Sequence, residues 1–202
     1  LPELLTVGNM TKPIVVYGAN GFIGRNLCIL LSKLNCDVIA VSREFDPLFR
    51  ERAGKRIQYI ESDFFDTNQL LKDVNVPAAT HILLVSDSVA STWAVKPSME
   101  VRGNLLAHVR FFESRNPDDR LIFVSSGGTV YGIQENQQPI SEDNAVMRPI
   151  CAYGTTKLAI EQYLFLGARI RGYDWSVVRP SNPIGPWSPF KKLQGIVNVT
   201  LQ

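Results

Sequence analysis

The chain has 202 residues, 45% of them apolar and 20% charged, with 21 lysines and arginines against 19 acids and a formal net charge of +2. This is not the aromatic-poor, charge-rich composition of a disordered chain. No apolar run is long enough to span a membrane, and the basic residues are scattered rather than gathered into a stripe that would mark nucleic acid. The length suits one substantial core, that is, one domain or one and a fraction.

Residues 1–9 lack the basic and apolar regions of a signal peptide, and Met10 stands just ahead of the first strand, so 1–9 read as a leader or upstream extension. Ile14, Val15 and Val16 form a β-branched run without polar alternation, as in a central parallel strand covered on both faces. Gly18, Gly21 and Gly24 follow, and then the helical pattern Phe22, Ile23, Leu27, Leu30, Leu31, Leu34. Strand, glycine turn and helix in that order offer backbone N–H groups and the positive end of a helix to a phosphate. One glycine serves the tight turn, one the approach of a pyrophosphate and one the packing of helix on strand. Asn20, Phe22 and Ile23, between and beside these glycines, complete the candidate dinucleotide loop.

A second strand at 37–41 ends at Ser42-Arg43, where a dinucleotide fold meets the adenosine ribose. No acid stands there, so Ser42 and Arg43 suit the 2′-phosphate of NADP somewhat better than the free hydroxyls of NAD. Residues 56–60 make the third strand, and Asp63 is a candidate N-cap for a helix near 68–73. The fourth strand covers 80–85, and Val85, Ser86 and the residues to Ser91 should line a cofactor. Residues 97–115 read as one long helix with Val101, Leu105, Leu106, Val109 and Phe112 on one face, and Asn104 as a buried polar residue bonding a neighbouring loop. A fifth strand at 120–124 runs into SSGGTVYG, Ser125 to Gly132. A helix at 151–170 carries Tyr153 and Lys157, a sixth strand at 175–178 runs into RPSNPIGP, and 190–202 looks like the opening of another helix. Alternating strands and helices give an α/β fold, a Rossmann-like doubly wound parallel sheet with helices on both faces.

Tyr153 and Lys157 stand one helical turn apart, so the ammonium lies beside the phenol. A free tyrosine ionises near pH ~10, and a neighbouring cation together with a nicotinamide is expected to bring it into range as a base. Three cysteines, Cys28, Cys36 and Cys151, and two histidines, His81 and His108, show no metal-ligand spacing. They point to reduced thiols in a cytoplasmic protein, no metal, and chemistry without a histidine base.

Taken together, GANGFIG, SSGGTVYG, YGTTK and RPSNPIGP resemble the extended short-chain dehydrogenase/reductases, the NAD-dependent epimerase/dehydratase family of sugar-nucleotide enzymes. The resemblance runs from Lys12 to about Gly195. It implies NAD(P) bound by residues 10–190 and a nucleoside-diphosphate sugar, UDP-linked by resemblance, between that domain and a C-terminal substrate lobe of which 191–202 is only the start. It makes Tyr153 the catalytic base and Lys157 the ribose ligand. It puts Asp63 at the adenine amino group with Phe64 beside it, Asn104 and Pro180 near the cofactor, and Asn182 at the sugar nucleotide's phosphates. The family's catalytic hydroxyl position is Gly127 here, so Thr129, or else Ser126, is expected to bond the reacting oxygen, because an alternating strand end would set Thr129 and Gly127 on one side. The expected activity is a UDP-sugar 4-epimerase, with an NADP-dependent carbonyl reductase or a non-catalytic dinucleotide binder as alternatives. A homodimer through the helices at 97–115 and 151–170 is also implied.

Overall fold

The computed structural model describes residues 12–88, 97–133, 139–143 and 145–188. The expected leader, the end of the segment after the fourth strand and the helix opening at 190–202 lie outside the described residues. Six strands, β1 (Ile14–Tyr17), β2 (Val38–Ser42), β3 (Ile57–Glu61), β4 (Thr80–Leu83), β5 (Arg120–Val124) and β6 (Asp174–Val178), form one parallel sheet in the order β3-β2-β1-β4-β5-β6. The order reverses between β1 and β4, which opens a crevice at the carboxyl ends of those strands, where such sheets bind ligands.

The two-residue period of a strand sorts the core into two layers. Val15, Tyr17, Ile39, Val41, Leu83, Leu121 and Phe123 face one side. They pack on α3 (Thr67–Asp73), α5 (Leu106–Glu113) and α7 (Ala152–Arg171) through Leu70, Phe111, Phe112, Ile160 and Leu164. Ile14, Val16, Val38, Ala40 and Ile82 face the other side, against Cys28 of α1 (Phe22–Lys33) and Phe49 and Ala53 of α2 (Pro47–Ala53). Neither face of the central strands meets water, which is why they read as unbroken apolar runs.

Three elements differ from the sequence expectation. The helix α2 has no counterpart in it; Pro47 opens this helix and the Asp46 side chain accepts from the Leu48 N–H at 2.9 Å, so proline and cap together start a helix between β2 and β3. The strand expected at 80–85 ends at Leu83, and Val85 and Ser86 lie beyond it as loop. The long helix begins as α4 (Pro97–Glu100), passes through a π turn over Val101–Leu105 and resumes as α5. In that turn the Leu106 N–H reaches back to the Val101 carbonyl.

Candidate active site

After β1 the chain turns at Gly18, whose φ of +79° is one that side-chain-bearing residues rarely adopt. Gly24, buried in the first turn of α1, approaches this turn so closely that a Cβ there would run into the Gly18 oxygen and lie 2.7 Å from Ala19 Cα. Gly21 caps α1 without a side-chain acceptor, and the first turn holds no acid. The first N–H groups of a 12-residue helix are therefore open to an anion, the arrangement a dinucleotide pyrophosphate requires. Asn20 is tied to the segments around it: its Oδ1 accepts from the Asp46 N–H at 3.1 Å and its carbonyl accepts from Arg25 Nε at 2.7 Å. Phe22 and Ile23 occupy the first positions of α1, half-buried.

From the turn a cleft of about 320 Å³ runs across the carboxyl ends of β1 to β4. Gly18, Gly21, Ser42, Arg43, Asp63, Phe64, Val85 and Ser86 line it, together with Tyr17, Val41, Ser62, Phe65 and Leu84. Arg43 is exposed, and none of the ion pairs found among the described residues includes it. Asp63 is not the helix cap: that role falls to Asp66, which accepts from the Gln69 N–H at 3.2 Å, while Asp63 accepts from the Phe65 N–H at 3.0 Å. Phe64 is both wall and core, its ring 5.6 Å from that of Tyr17 and 4.9 Å from that of His108.

A narrow crevice adjoins the cleft and shares Val85 and Ser86 with it. Tyr153, Thr156, Lys157 and Ile160 of α7 form one wall, and Glu100, Asn104 and His108 the other. Lys157 is 4% exposed; its Nζ donates to the Val124 carbonyl at 3.1 Å and lies 5.6 Å from the centre of the Tyr153 ring. Burial pulls the Lys157 ammonium down to about 8, while Glu100 and Glu161 work to keep it charged. The expectation is that the lysine and a bound nicotinamide together bring the phenol down; in the ligand-free site burial first, then Glu100 and Cys151, push Tyr153 up to about 12. In the ligand-free site Tyr153 rests as a phenol and so as a proton donor. Asn104 is 4% exposed and bonds the loop after β4, accepting from the Asp87 N–H at 2.8 Å and donating to Ser88 Oγ at 3.2 Å.

The SSGG segment is stitched to the end of β6 by Ser125 N–H to the Val178 carbonyl at 2.8 Å and Gly127 N–H to the Pro180 carbonyl at 2.9 Å. A Cβ on Gly127 would lie 2.7 Å from the Arg179 carbonyl oxygen, so the missing hydroxyl goes with a close backbone contact. The strand argument for Thr129 fails, because β5 ends at Val124 and residues Gly127–Val130 make a helical turn, α6, in which two-residue alternation does not hold. Thr129 instead packs on the first turn of α7, its Cβ 3.1 Å from the position a Cβ on Gly154 would take. Its Oγ1 is buried with no hydrogen-bond partner among the described residues, an unsatisfied hydroxyl beside the helix turn that carries Tyr153. Ser126 is half-buried and its carbonyl accepts from Val130 N–H at 3.2 Å. Asn182 is exposed in a bend beyond β6, and Pro180 is half-buried outside both the cleft and the crevice.

Sequence reasoning missed Glu100 and the frame behind the site. The Arg179 guanidinium grips the buried Glu161 carboxylate through Nε at 3.1 Å and Nη2 at 2.7 Å, and donates to Tyr131 Oη at 2.9 Å. It joins α7, the end of β6 and the residue after α6. The spacing Tyr153, Lys157, Glu161 was a legible signal for one helix face, and Glu100, Asn104, His108 carry the same four-residue spacing; what went unread is that the acid at its head is buried.

A parallel sheet in this order, with a glycine turn at its switch point, defines a dinucleotide-binding α/β protein. The family model for the NAD dependent epimerase/dehydratase family matches residues 14–199, and the chain belongs to that family. It is 26% identical over 196 residues to dTDP-4-dehydro-6-deoxyglucose reductase of Escherichia coli, covering 93% of this chain and 61% of that protein. To UDP-glucuronate 4-epimerase 1 of Arabidopsis thaliana it is 28% identical over 186 residues, covering 86% and 43%. The chain thus spans about half the length of these curated relatives. Among solved structures it resembles UDP-glucose 4-epimerase of Thermus thermophilus in complex with NAD, with a TM-score of 0.78 at 21% identity over 94% of this chain and 60% of that one. No helix among the described residues is long and apolar enough to cross a membrane.

Proposed function

We propose that the protein is an NAD(P)-dependent nucleotide-sugar enzyme of the extended short-chain dehydrogenase/reductase type, working on a UDP-sugar as a 4-epimerase. The observation that carries this reading is the junction of the two hollows: Val85 and Ser86 line both the cleft at the glycine turn and the crevice of Tyr153 and Lys157. Gly18, Gly21 and the first turn of α1 hold the pyrophosphate, Ser42 and Arg43 the adenosine ribose, Asp63 and Phe64 the adenine. The cofactor supplies reversible hydride transfer when bound. Tyr153 exchanges a proton with the sugar 4-oxygen, Lys157 holds the cofactor ribose, Thr129 or Ser126 bonds the reacting oxygen, and Asn182 meets the substrate phosphates. Incubating the protein with UDP-glucose and following the sugar by NMR tests this: the 4-epimer appears, and Tyr153→Phe lowers its rate at least about a hundredfold. Unchanged turnover in that variant removes Tyr153 from the reaction.

A second reading, an NADP-dependent reductase of a keto sugar nucleotide, is favoured by Arg43, an exposed cation beside a ribose site with no acid at the end of β2. Net oxidation of NADPH by a 4-keto sugar nucleotide separates this reading from epimerisation, which consumes none. Cofactor binding without either turnover points to a non-catalytic dinucleotide binder, which Gly127 in place of a hydroxyl residue would suit. A cytoplasmic homodimer completes the proposal, built on the exposed apolar residues Met99, Val101 and Leu106 of the π-bulged helix and Tyr163, Leu166 and Ile170 of α7.

A further inference from the structure

Glu100 is an acid at 2% exposure whose place in the crevice none of the assigned roles explains. It ends α4, and the π turn that starts at the next residue adds one residue to the helical circuit before α5 resumes. Glu100, Asn104 and His108, at four-residue spacing, share one wall of the crevice opposite Tyr153 and Lys157, and the π turn lies between Glu100 and α5. Single π turns persist in helices at a cost and recur at functional sites. The Glu100 carboxylate is also held: Asn104 Nδ2 donates to its Oε2 at 2.9 Å, and the same amide is fixed by its bonds to Asp87 and Ser88. Burying a carboxylate is costly unless bonds and a nearby cation compensate it. Here an amide and the buried ammonium of Lys157 share one hollow with it.

We propose that Glu100 is a positioning residue for the Tyr153–Lys157 pair: its carboxylate, aimed by Asn104 across the π-bulged helix, fixes the charge that the pair carries before substrate arrives. The inference rests on the reading of Tyr153 and Lys157 as the proton-handling pair. Glu100 holds Lys157 in its ammonium form and Tyr153 in its phenol form, and so prepares the crevice to deliver a proton to a substrate oxygen. This favours the direction in which a carbonyl is reduced. The other titratable groups around this spot are Glu161 on α7, Cys151 at its cap, His108 on α5 and Asp87 beside Gly103. Glu161 is spoken for by Arg179, and His108 is held neutral by complete burial with its Nδ1–H on the Asn104 carbonyl at 2.7 Å. Glu100 is thus the acid left to act on both members of the pair.

The test needs no turnover. In the ligand-free protein, the Lys157 amine is titrated by NMR of ¹³C-labelled lysine and the Tyr153 phenol by its ultraviolet difference absorbance, with Lys157→Met and Tyr153→Phe assigning the signals. Removing the carboxylate in Glu100→Gln moves both midpoints to lower pH, that of Lys157 by roughly one unit, while Glu100→Asp, which keeps the charge, stays near the parent. Midpoints unmoved in Glu100→Gln, or moved equally in Glu100→Asp, would overturn the proposal, since a packing role predicts the second result. If Glu100→Gln does not fold, Asn104→Ser, which frees the carboxylate from its amide, must still move the Lys157 midpoint. A protein with no activity towards any sugar nucleotide leaves these titrations readable, so failure of the proposed reaction and failure of this inference are told apart.

Discussion

The glycine turn and the Tyr153 crevice are built on opposite plans. At the turn, the candidate site is backbone: Gly18 bends, Gly24 lets α1 approach, and the first N–H groups of α1 have no side-chain cap. In the crevice, the candidate site is made of side chains that three separate segments bring together, from the loop after β4, the π-bulged helix and α7. A backbone site is robust to everything except an added Cβ. A side-chain site depends on the frame behind it, and in this protein the frame is the Arg179–Glu161 pair.

The largest effect follows from breaking that frame. The Arg179–Glu161 pair is 14% and 4% exposed, so Glu161→Ala leaves a buried guanidinium without its partner and costs roughly 3 to 5 kcal/mol in urea unfolding. Because the glycine turn lies across the sheet, a refolded remnant of this variant should keep its dinucleotide affinity better than its crevice. Attacking the other region, Gly24→Ala drives a Cβ into the Gly18 oxygen and should cost about 3 kcal/mol, with a loss of NAD(P) binding by calorimetry that no crevice variant reproduces. If Gly24→Ala binds and unfolds like the parent, the backbone account of the turn is wrong.

Acid sharpens the contrast. His108 backs the crevice, and burial drags it from 6.5 to about 3 in the folded protein. Unfolded chains take up its proton first, so stability is full above the unfolded value of 6.5 and falls as the pH drops towards 3, by about 1.4 kcal/mol per pH unit. Thermal unfolding at pH 7 and pH 5 should differ by about 2 kcal/mol more in the parent than in His108→Leu, compared slope against slope. The smallest effect is at the ribose end of the cleft: Arg43→Ala should weaken NADPH about tenfold, near 1.4 kcal/mol, and leave NADH almost unchanged. Equal losses for both cofactors would assign Arg43 to the adenine rather than to a 2′-phosphate.

The same contrast explains what the sequence made legible. Strands buried on both faces, a glycine turn and an amphipathic helix are local patterns, so β1, α1 and the strand order's consequence at the turn could be read from residues a few places apart. Tyr153 and Lys157 were legible for the same reason, as neighbours on one helix face. Glu100 stands four residues before Asn104 on the same helix face, but its burial comes from packing against α7, which lies far away in sequence, and Asp66 rather than Asp63 caps α3 because the helix begins at Thr67, directly after it. For Tyr153 the expectation concerns the lysine and a bound nicotinamide acting together; in the ligand-free protein burial and an acid on a different helix push the phenol up, which no local pattern reports. The Thr129 argument failed through a single wrong period, a helical turn where a strand was assumed.

The central claim is that the turn and the crevice are the two ends of one dinucleotide site. A crystal structure of the protein with NADPH tests it most directly. The account predicts the pyrophosphate on the first N–H groups of α1 and the nicotinamide ring between Val85 and Tyr153, with the ribose on Lys157. A cofactor whose nicotinamide end lies outside the crevice, or whose phosphates avoid the Gly18 turn, would contradict it.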